Sequence, residues 1–252
     1  MPEVTRVCVL QFERAGNFKR NIQQIRNILK EIPDLDFTLL GGEFSLNESI
    51  KIDPYPILSD LAIELNCNLV APINANQRRF PGKVEMGVAS MHIFARNGEA
   101  VAIQDKHHLY LKEREYFAPG GGVKMFVIED TRIGLVRGLD MLYPSYTQSL
   151  READLLFFST LAGDDMMLNL AKTRALENQC YIAMSSYVGS YMGMECTGNA
   201  AIMLPNLSHS EDMIGLTDTR LFKHTREEGA LVADIYIDYI RKLKREHPLD
   251  DA

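Results

Sequence analysis

Long hydrophobic runs are missing from this chain of 252 residues. No apolar stretch reaches the roughly 18 residues that a membrane-spanning helix needs. The opening MPEVTRVCVLQF lacks the charged-then-apolar order of a secretory leader. The expectation is therefore a cytoplasmic protein with no membrane partner. Positive charge is also scarce, with 27 Lys and Arg against 34 Asp and Glu, a formal net charge of -7 and a pI of about 5.4. That balance speaks against nucleic acid as a partner, because phosphate binding needs a basic face. The four cysteines, Cys8, Cys67, Cys180 and Cys196, are scattered without a CxxC pair, which argues against a disulfide framework and a thiolate metal site. Histidine adds no metal signature, since His107 and His108 are adjacent and there is no HExxH. No metal and no cofactor are expected. Gly120-Gly121-Gly122 is the nearest approach to a phosphate loop, but neither GxxxxGK[ST] nor GxGxxG is present. Repeats, low-complexity tracts and Pro/Ser-rich linkers are absent too, so residues 1–252 read as one domain of ordinary globular composition.

What is present is a series of strand-length apolar runs at 7–12, 36–42, 68–73, 89–95, 101–106, 125–130, 133–138, 153–159, 181–189, 200–205 and 230–237. Helical spacing appears between some of them, in Ile22, Ile25, Ile28, Leu29 and Ile32, and in Ile57, Leu58, Leu61, Ala62 and Leu65. Asp53-Pro54 signals the start of the second helix and Pro33 the end of the first. Two more helices are expected at 144–152 and 168–179, and Asn97-Gly98-Glu99 as a hairpin turn. The tail KLKREHPLDDA reads as a polar arm or a frayed end. Strands alternating with helices imply an α/β fold of sheets covered by helices.

Three stretches end a strand in a polar or Gly-rich turn, the usual place for a site in α/β proteins. In LLGGEFSLNES, Glu43 follows a buried run; desolvation there raises a carboxyl pKa toward that of a general base. The bland alternative is a solvated loop Glu serving as an N-cap. In AIQDKHHLYLKEREYFAPGGG, Lys106 follows a strand and Glu113 comes seven residues later; a lysine so placed can stabilise a developing oxyanion. Arg114 and Glu115 read instead as a solvated charge run. The third stretch, RIGLVRGLDMLYPS, runs from strand to helix through Gly138, the kind of turn on which hydrolases hold a nucleophile. Gly138 has no side chain.

Together and in order these segments resemble the nitrilase superfamily, the carbon–nitrogen hydrolases. The resemblance runs from VCVLQF and GNFKRNIQQI through DFTLLGGEF, DKHHL, EREYFAPG and GLVRGLDMLYP to RALEN and GNAAIMLP. It implies a four-layer αββα sandwich that pairs into homodimers or higher homo-oligomers through helices and the C-terminal segment. It also implies hydrolysis of small amides or nitriles by a Glu base, a Lys, a supporting Glu and a nucleophilic Cys. Carried over, these are Glu43, Lys106, Glu113 and, at the Cys position, Gly138, with Arg137, Asp140 and Tyr143 as candidate ligand-binding residues. Gly42, where the family usually has Pro, is a second departure.

A glycine cannot form the acyl-enzyme that a thiolate forms. The resemblance therefore points to a catalytically impaired homologue binding a small amide or carboxylate, or to a structural subunit for a protein partner. The alternative is an active amidase or nitrilase working through Glu43 and Lys106, with an engineered Gly138, a relocated thiol (Cys180 or Cys196) or an activated water. Arg137 can hold an anion beside Gly138 or can point outward from the strand end. Tyr110, Tyr116 and the loop 185–199 are further candidates for lining the pocket.

Overall fold

The computed structural model describes residues 4–13, 17–41, 53–78, 86–161, 164–191, 194–210 and 213–248. Glu43 and Gly42 lie outside the described residues. The first half of the chain folds as β1 (Val4–Gln11), α1 (Phe18–Leu29), β2 (Phe37–Leu39), α2 (Pro54–Leu65), β3 (Asn68–Arg78), β4 (Met86–Phe94) and β5 (Ala100–Asp105). The second half contributes β6 (Met125–Ile128), β7 (Thr131–Arg137), α3 (Pro144–Gln148), β8 (Leu155–Ser159), α4 (Asp165–Glu177) and β9 (Tyr181–Ser185). A hairpin of β10 (Val188–Tyr191) and β11 (Met194–Thr197) follows, then β12 (Ala200–Ser210), β13 (Met213–Thr225), β14 (Gly229–Tyr236) and α5 (Ile237–Glu246).

Two six-stranded sheets form, in the orders β14-β1-β2-β3-β4-β5 and β13-β12-β9-β8-β7-β6. Their centres are parallel, β1 with β2 with β3 and β7 with β8 with β9, and their flanks are antiparallel. Strand side chains alternate between faces, so one set from each sheet meets in the middle. Val9, Leu39, Ile93, Leu135, Phe157 and Ile202 belong to this shared core. Phe37 and Phe157 meet across it with ring centroids 5.7 Å apart, worth about 1 kcal/mol beyond their burial. The other face of the first sheet packs under α1 and α2, and that of the second under the segment holding α3 and α4. The result is the four-layer αββα sandwich.

Local chemistry explains the helix starts. Asn17 caps α1 by accepting from Arg20 N at 2.9 Å, and Asp53 caps α2 by accepting from Tyr55 N at 3.0 Å, with Pro54 in its first turn. Phe18, Ile22, Ile25 and Leu29 then line one buried face of α1. The Asn97-Gly98-Glu99 turn closes β4 onto β5, Gly98 taking φ +83° and Asn97 Oδ1 accepting from Glu99 N at 3.1 Å.

Three expectations change. The tail from Lys242 is not an arm: α5 runs to Glu246 and buries Ile237, Ile240 and Leu243. The run 181–189 is not one strand but breaks after Ser185, and most of 185–199 is the β10–β11 hairpin. Residues 213–225, which hold none of the strand-length apolar runs named above, form β13 beside β12.

Candidate active site

Strand periodicity puts the candidate site at one end of the intersheet core. On β7 the inward positions run Ile133, Leu135, Arg137; on β8 Leu155, Phe157, Ser159; on β9 Tyr181, Ala183, Ser185. On the facing sheet Val7 and Val9 give way to Gln11, and Val70 to Asn74. Lys106 follows directly on β5. The interior thus changes from apolar to polar within one residue pair, and Gln11, Asn74, Lys106, Arg137, Ser159 and Ser185 are all buried. Six buried polar groups at one level are costly unless matched, which makes this end the candidate site.

Lys106, 4% exposed, gives its ammonium to both oxygens of Glu113, at 2.6 and 2.8 Å. Glu113 also accepts from Tyr110 N at 2.8 Å, so the loop after Lys106 is folded around this carboxylate. The short 3-10 turn Glu113–Glu115 leaves Arg114 and Glu115 exposed, as a solvated charge run should be. Gly120 serves packing: a side chain there would meet Asp105 O at 2.8 Å.

The turn at the end of β7 is anchored to this loop. Gly138 takes φ +52°, the left-handed region, and opens a 3-10 turn Gly138–Leu142 that leads into α3. Asp140, fully buried, accepts from His107 N, from His108 N at 2.7 Å and from His108 Nδ1 at 2.9 Å. Burial pushes its carboxyl above the ordinary range, against the opposing pull of those donors. Tyr143 stacks on the His108 ring, centroids 3.4 Å apart and planes 8° from parallel. These contacts bring Lys106 to Gly138: a Cβ built on Gly138 would stand 3.1 Å from Lys106 Nζ.

Of the candidate ligand residues, Asp140 is thus occupied in joining turn to loop, and Tyr143 remains 43% exposed at the rim. Tyr110 and Tyr116 lie more open still. Arg137 does not point outward. Its guanidinium crosses to the facing sheet and donates to Ile73 O at 2.8 Å, Ser90 O at 2.9 Å and Asn74 Oδ1 at 2.7 Å. Asn74, Ser159 and Gln11 were not singled out from sequence, and Ser185 only as the first residue of the loop 185–199; each is a polar residue closing an apolar run, a signal visible in hindsight.

The alternative thiols are poorly placed. Cys180 is fully buried at the start of β9, the end of that strand remote from Ser185, and burial raises its pKa to about 12. Cys196 lies on β11 and burial raises its thiol as well. Both are far from the low-pKa condition a nucleophilic thiol needs. A cleft of about 630 Å³ opens at the opposite end of the second sheet, between Arg132, Glu152, Glu177, Arg241 and Lys244. Its charges are already engaged: Arg132 and Arg241 both bind Asp154, and Lys244 donates to Arg151 O and Ala153 O.

This fold and this end of the sandwich define a class. The carbon-nitrogen hydrolase profile matches residues 55–245, and the chain belongs to that family, as the resemblance to the nitrilase superfamily implied. A 2-oxoglutaramate amidase of Bacillus subtilis (strain 168) is 24% identical over 169 residues, 64% of this chain and 61% of that protein. The match therefore spans less than two thirds of that relative's length. A carbon-nitrogen hydrolase from Helicobacter pylori G27 superposes with a TM-score of 0.80 at 17% identity, over 97% of this chain and 93% of its own. A mutant of an amidase from Nesterenkonia sp. AN1 superposes at 0.75 with 20% identity, over 96% and 95% of the two chains; it carries the acetamide moiety of fluoroacetamide covalently added at its active-site cysteine. Among the described residues, no helix is long and apolar enough to cross a membrane.

Proposed function

We propose that this carbon–nitrogen hydrolase is a catalytically impaired member of its family, with Gly138 at the position of the nucleophilic cysteine, and that it binds a small amide or carboxylate without turning it over by the covalent route. The observation that carries this reading is the geometry at Gly138. The residue sits at the strand-to-turn corner in a left-handed conformation, and its missing side chain would face the Lys106 ammonium. Lys106 and Glu113 keep the pairing expected of an oxyanion-stabilising lysine and its supporting carboxylate. The similarity to a 2-oxoglutaramate amidase and to an amidase with an active-site cysteine supports amides and carboxylates as the ligand class. Glu43 completes the family set in this reading, and homodimerisation belongs to it as well.

A relocated thiol is disfavoured by the burial of Cys180 and Cys196, which leaves a water activated by Glu43 as the competing mechanism. The test is ammonia release from a panel of small amides, ureas and nitriles, 2-oxoglutaramate included, by the unmodified protein and by Gly138→Cys. Silence from the first with turnover by the second supports an intact site lacking its nucleophile. Turnover by the unmodified protein overturns the reading. Silence from both removes the ligand-processing geometry and leaves assembly with a protein partner as the role.

A further inference from the structure

The cleft of about 630 Å³ at the opposite end of the second sheet is large enough for a small-molecule ligand. Four segments build it: the β6–β7 turn with Asp130 and Arg132, the approach to β8 with Arg151 and Glu152, the end of α4 with Glu177, and α5 with Arg241, Lys244 and Arg245. Five cations thus line it beside three carboxylates, in a protein whose formal net charge is -7.

The pairing of those charges decides what the cleft can hold. Each carboxylate is taken by an arginine: Asp130 by Arg241 at 2.9 Å, Glu152 by Arg132 at 3.2 Å and Glu177 by Arg174 at 2.6 Å. The fully buried Asp154 takes Arg132 and Arg241 as well, and Arg151 stands 4.0 Å from Glu152. Lys244 and Arg245 are left without a carboxylate partner among the described residues. Lys244 spends two of its three ammonium hydrogens on Arg151 O and Ala153 O. Carbonyls accept hydrogens but do not cancel a charge. Burial holds the Lys244 pKa below the ordinary lysine value, and no carboxylate is close enough to reverse this. Arg245 is exposed and makes no hydrogen bond or ion pair among the described residues. The carbonyl end of α5 favours cations, which keeps both side chains on this wall without a counter-charge.

We propose that the cleft is a second ligand site, separate from the Lys106–Glu113 end, and that Lys244 and Arg245 bind the phosphate group of a small organic phosphate there. The third ammonium hydrogen and the guanidinium fork are charge-assisted donors suited to a compact dianion. A single carboxylate leaves one of the two charges unmatched, and a cationic ligand meets an excess of its own sign. Val127 and Pro248, the apolar side chains of the lining, are where the organic part of the ligand rests.

Glycerol phosphate is the probe, titrated with the full chain and followed by its phosphorus NMR linewidth, with potassium chloride holding the ionic strength constant. Saturable broadening is expected, and acetate, followed by proton NMR, should bind at least tenfold more weakly. Arg245→Gln removes an exposed charge that holds nothing in place. It should leave the melting midpoint unchanged and weaken glycerol phosphate about fivefold, the scale of one exposed charge pair. Lys244→Met should weaken it further, at some loss of stability, because α5 also loses its bonds to Arg151 O and Ala153 O. Lys242→Gln is the control: that ammonium is on the same helix, 3.8 Å from Glu246, and does not line the cleft, so its removal should change nothing. Absence of saturable broadening overturns the proposal, as does binding that both Arg245→Gln and Lys244→Met retain. Equal loss in Lys242→Gln and Arg245→Gln overturns it too, because attraction would then belong to the basic helix as a whole. Acetate binding as tight as that of glycerol phosphate overturns the choice of a phosphate group. Turnover or silence at Gly138 bears on none of these outcomes.

Discussion

Acidification from pH 7 should unfold this protein through one histidine on β4. His92 is 1% exposed, with Ser90 Oγ 2.6 Å from Nε2 and Tyr55 OH 3.1 Å from Nδ1. Its ring meets Tyr55 edge-on and stacks beside Phe94. Burial, and then the nearby Arg137 charge, push its pKa from 6.5 down to about 3. The folded protein therefore holds His92 neutral while the unfolded chain takes up a proton below pH 6.5, so this contribution is complete above that pH and is lost as pH falls toward 3. At about 1.36 kcal/mol per pH unit, the loss is about 2 kcal/mol by pH 5 and about 5 kcal/mol by pH 3. Against a typical total stability of about 5–15 kcal/mol that is a large share. Urea unfolding followed by circular dichroism at several pH values between 7 and 4 measures it. His92→Gln, which keeps hydrogen-bonding capacity but does not titrate, should be less stable at pH 7 and should lose stability less steeply, by up to one proton's worth of slope. Parallel curves for the two proteins would refute the assignment, because other titrating groups cancel in the comparison.

The Lys106–Glu113 pair should be asymmetric. Glu113→Ala strands an ammonium that is 4% exposed and should cost about 3 kcal/mol in urea unfolding, whereas Lys106→Met leaves a carboxylate 28% exposed that water can reach and should cost about 1 kcal/mol; equal costs would contradict the burial difference. Asp154 is fully buried between Arg132 at 2.7 Å and Arg241 at 3.0 Å. Burial alone would raise its pKa, but the two guanidinium groups outweigh it and hold the carboxyl below 3.8. Its contribution is thus present above that pH and lost on acidification below it; Asp154→Asn should cost about 3 kcal/mol at pH 7 and show a smaller deficit near pH 2. Gly138→Ala should lower stability by about 1–2 kcal/mol, the penalty of a left-handed conformation for a residue with a Cβ; an unchanged melting midpoint would mean that the turn relaxes.

The sheets were legible because their strands are short apolar runs, as at 133–138 and 153–159; which side chains face the shared core was not, because both faces of these strands are buried. The helix starts were legible because Asp53-Pro54 is a local signal. Two elements escaped for physical reasons. In α5 the buried seam is only Ile237, Ile240 and Leu243 within a run of charges, so the polar majority hid it. In β13 the run Thr217-Asp218-Thr219-Arg220 interrupts any apolar pattern, and pairing with β12 supplies what propensity does not. At the site, Lys106, Glu113 and Gly138 were singled out through the family resemblance, and the structure makes them neighbours. The roles of Asp140 and Arg137 could not be read this way: a carboxylate that holds a loop and an arginine that crosses between sheets are set by contacts with residues 32 to 64 positions away.

The pairing of β1 with β14 has a consequence for how the chain is made. Val4–Gln11 hydrogen-bonds along its whole length to Gly229–Tyr236, so one side of β1 stays open until residue 236 has left the ribosome. Val7, Val9 and Leu10, completely buried in the finished protein, wait through that interval beside an unpaired backbone edge. Synthesis at roughly 5–20 residues per second makes the wait tens of seconds. A nascent chain stopped before residue 229 should therefore be held by chaperones rather than fold, because the first sheet cannot close before β14 is available.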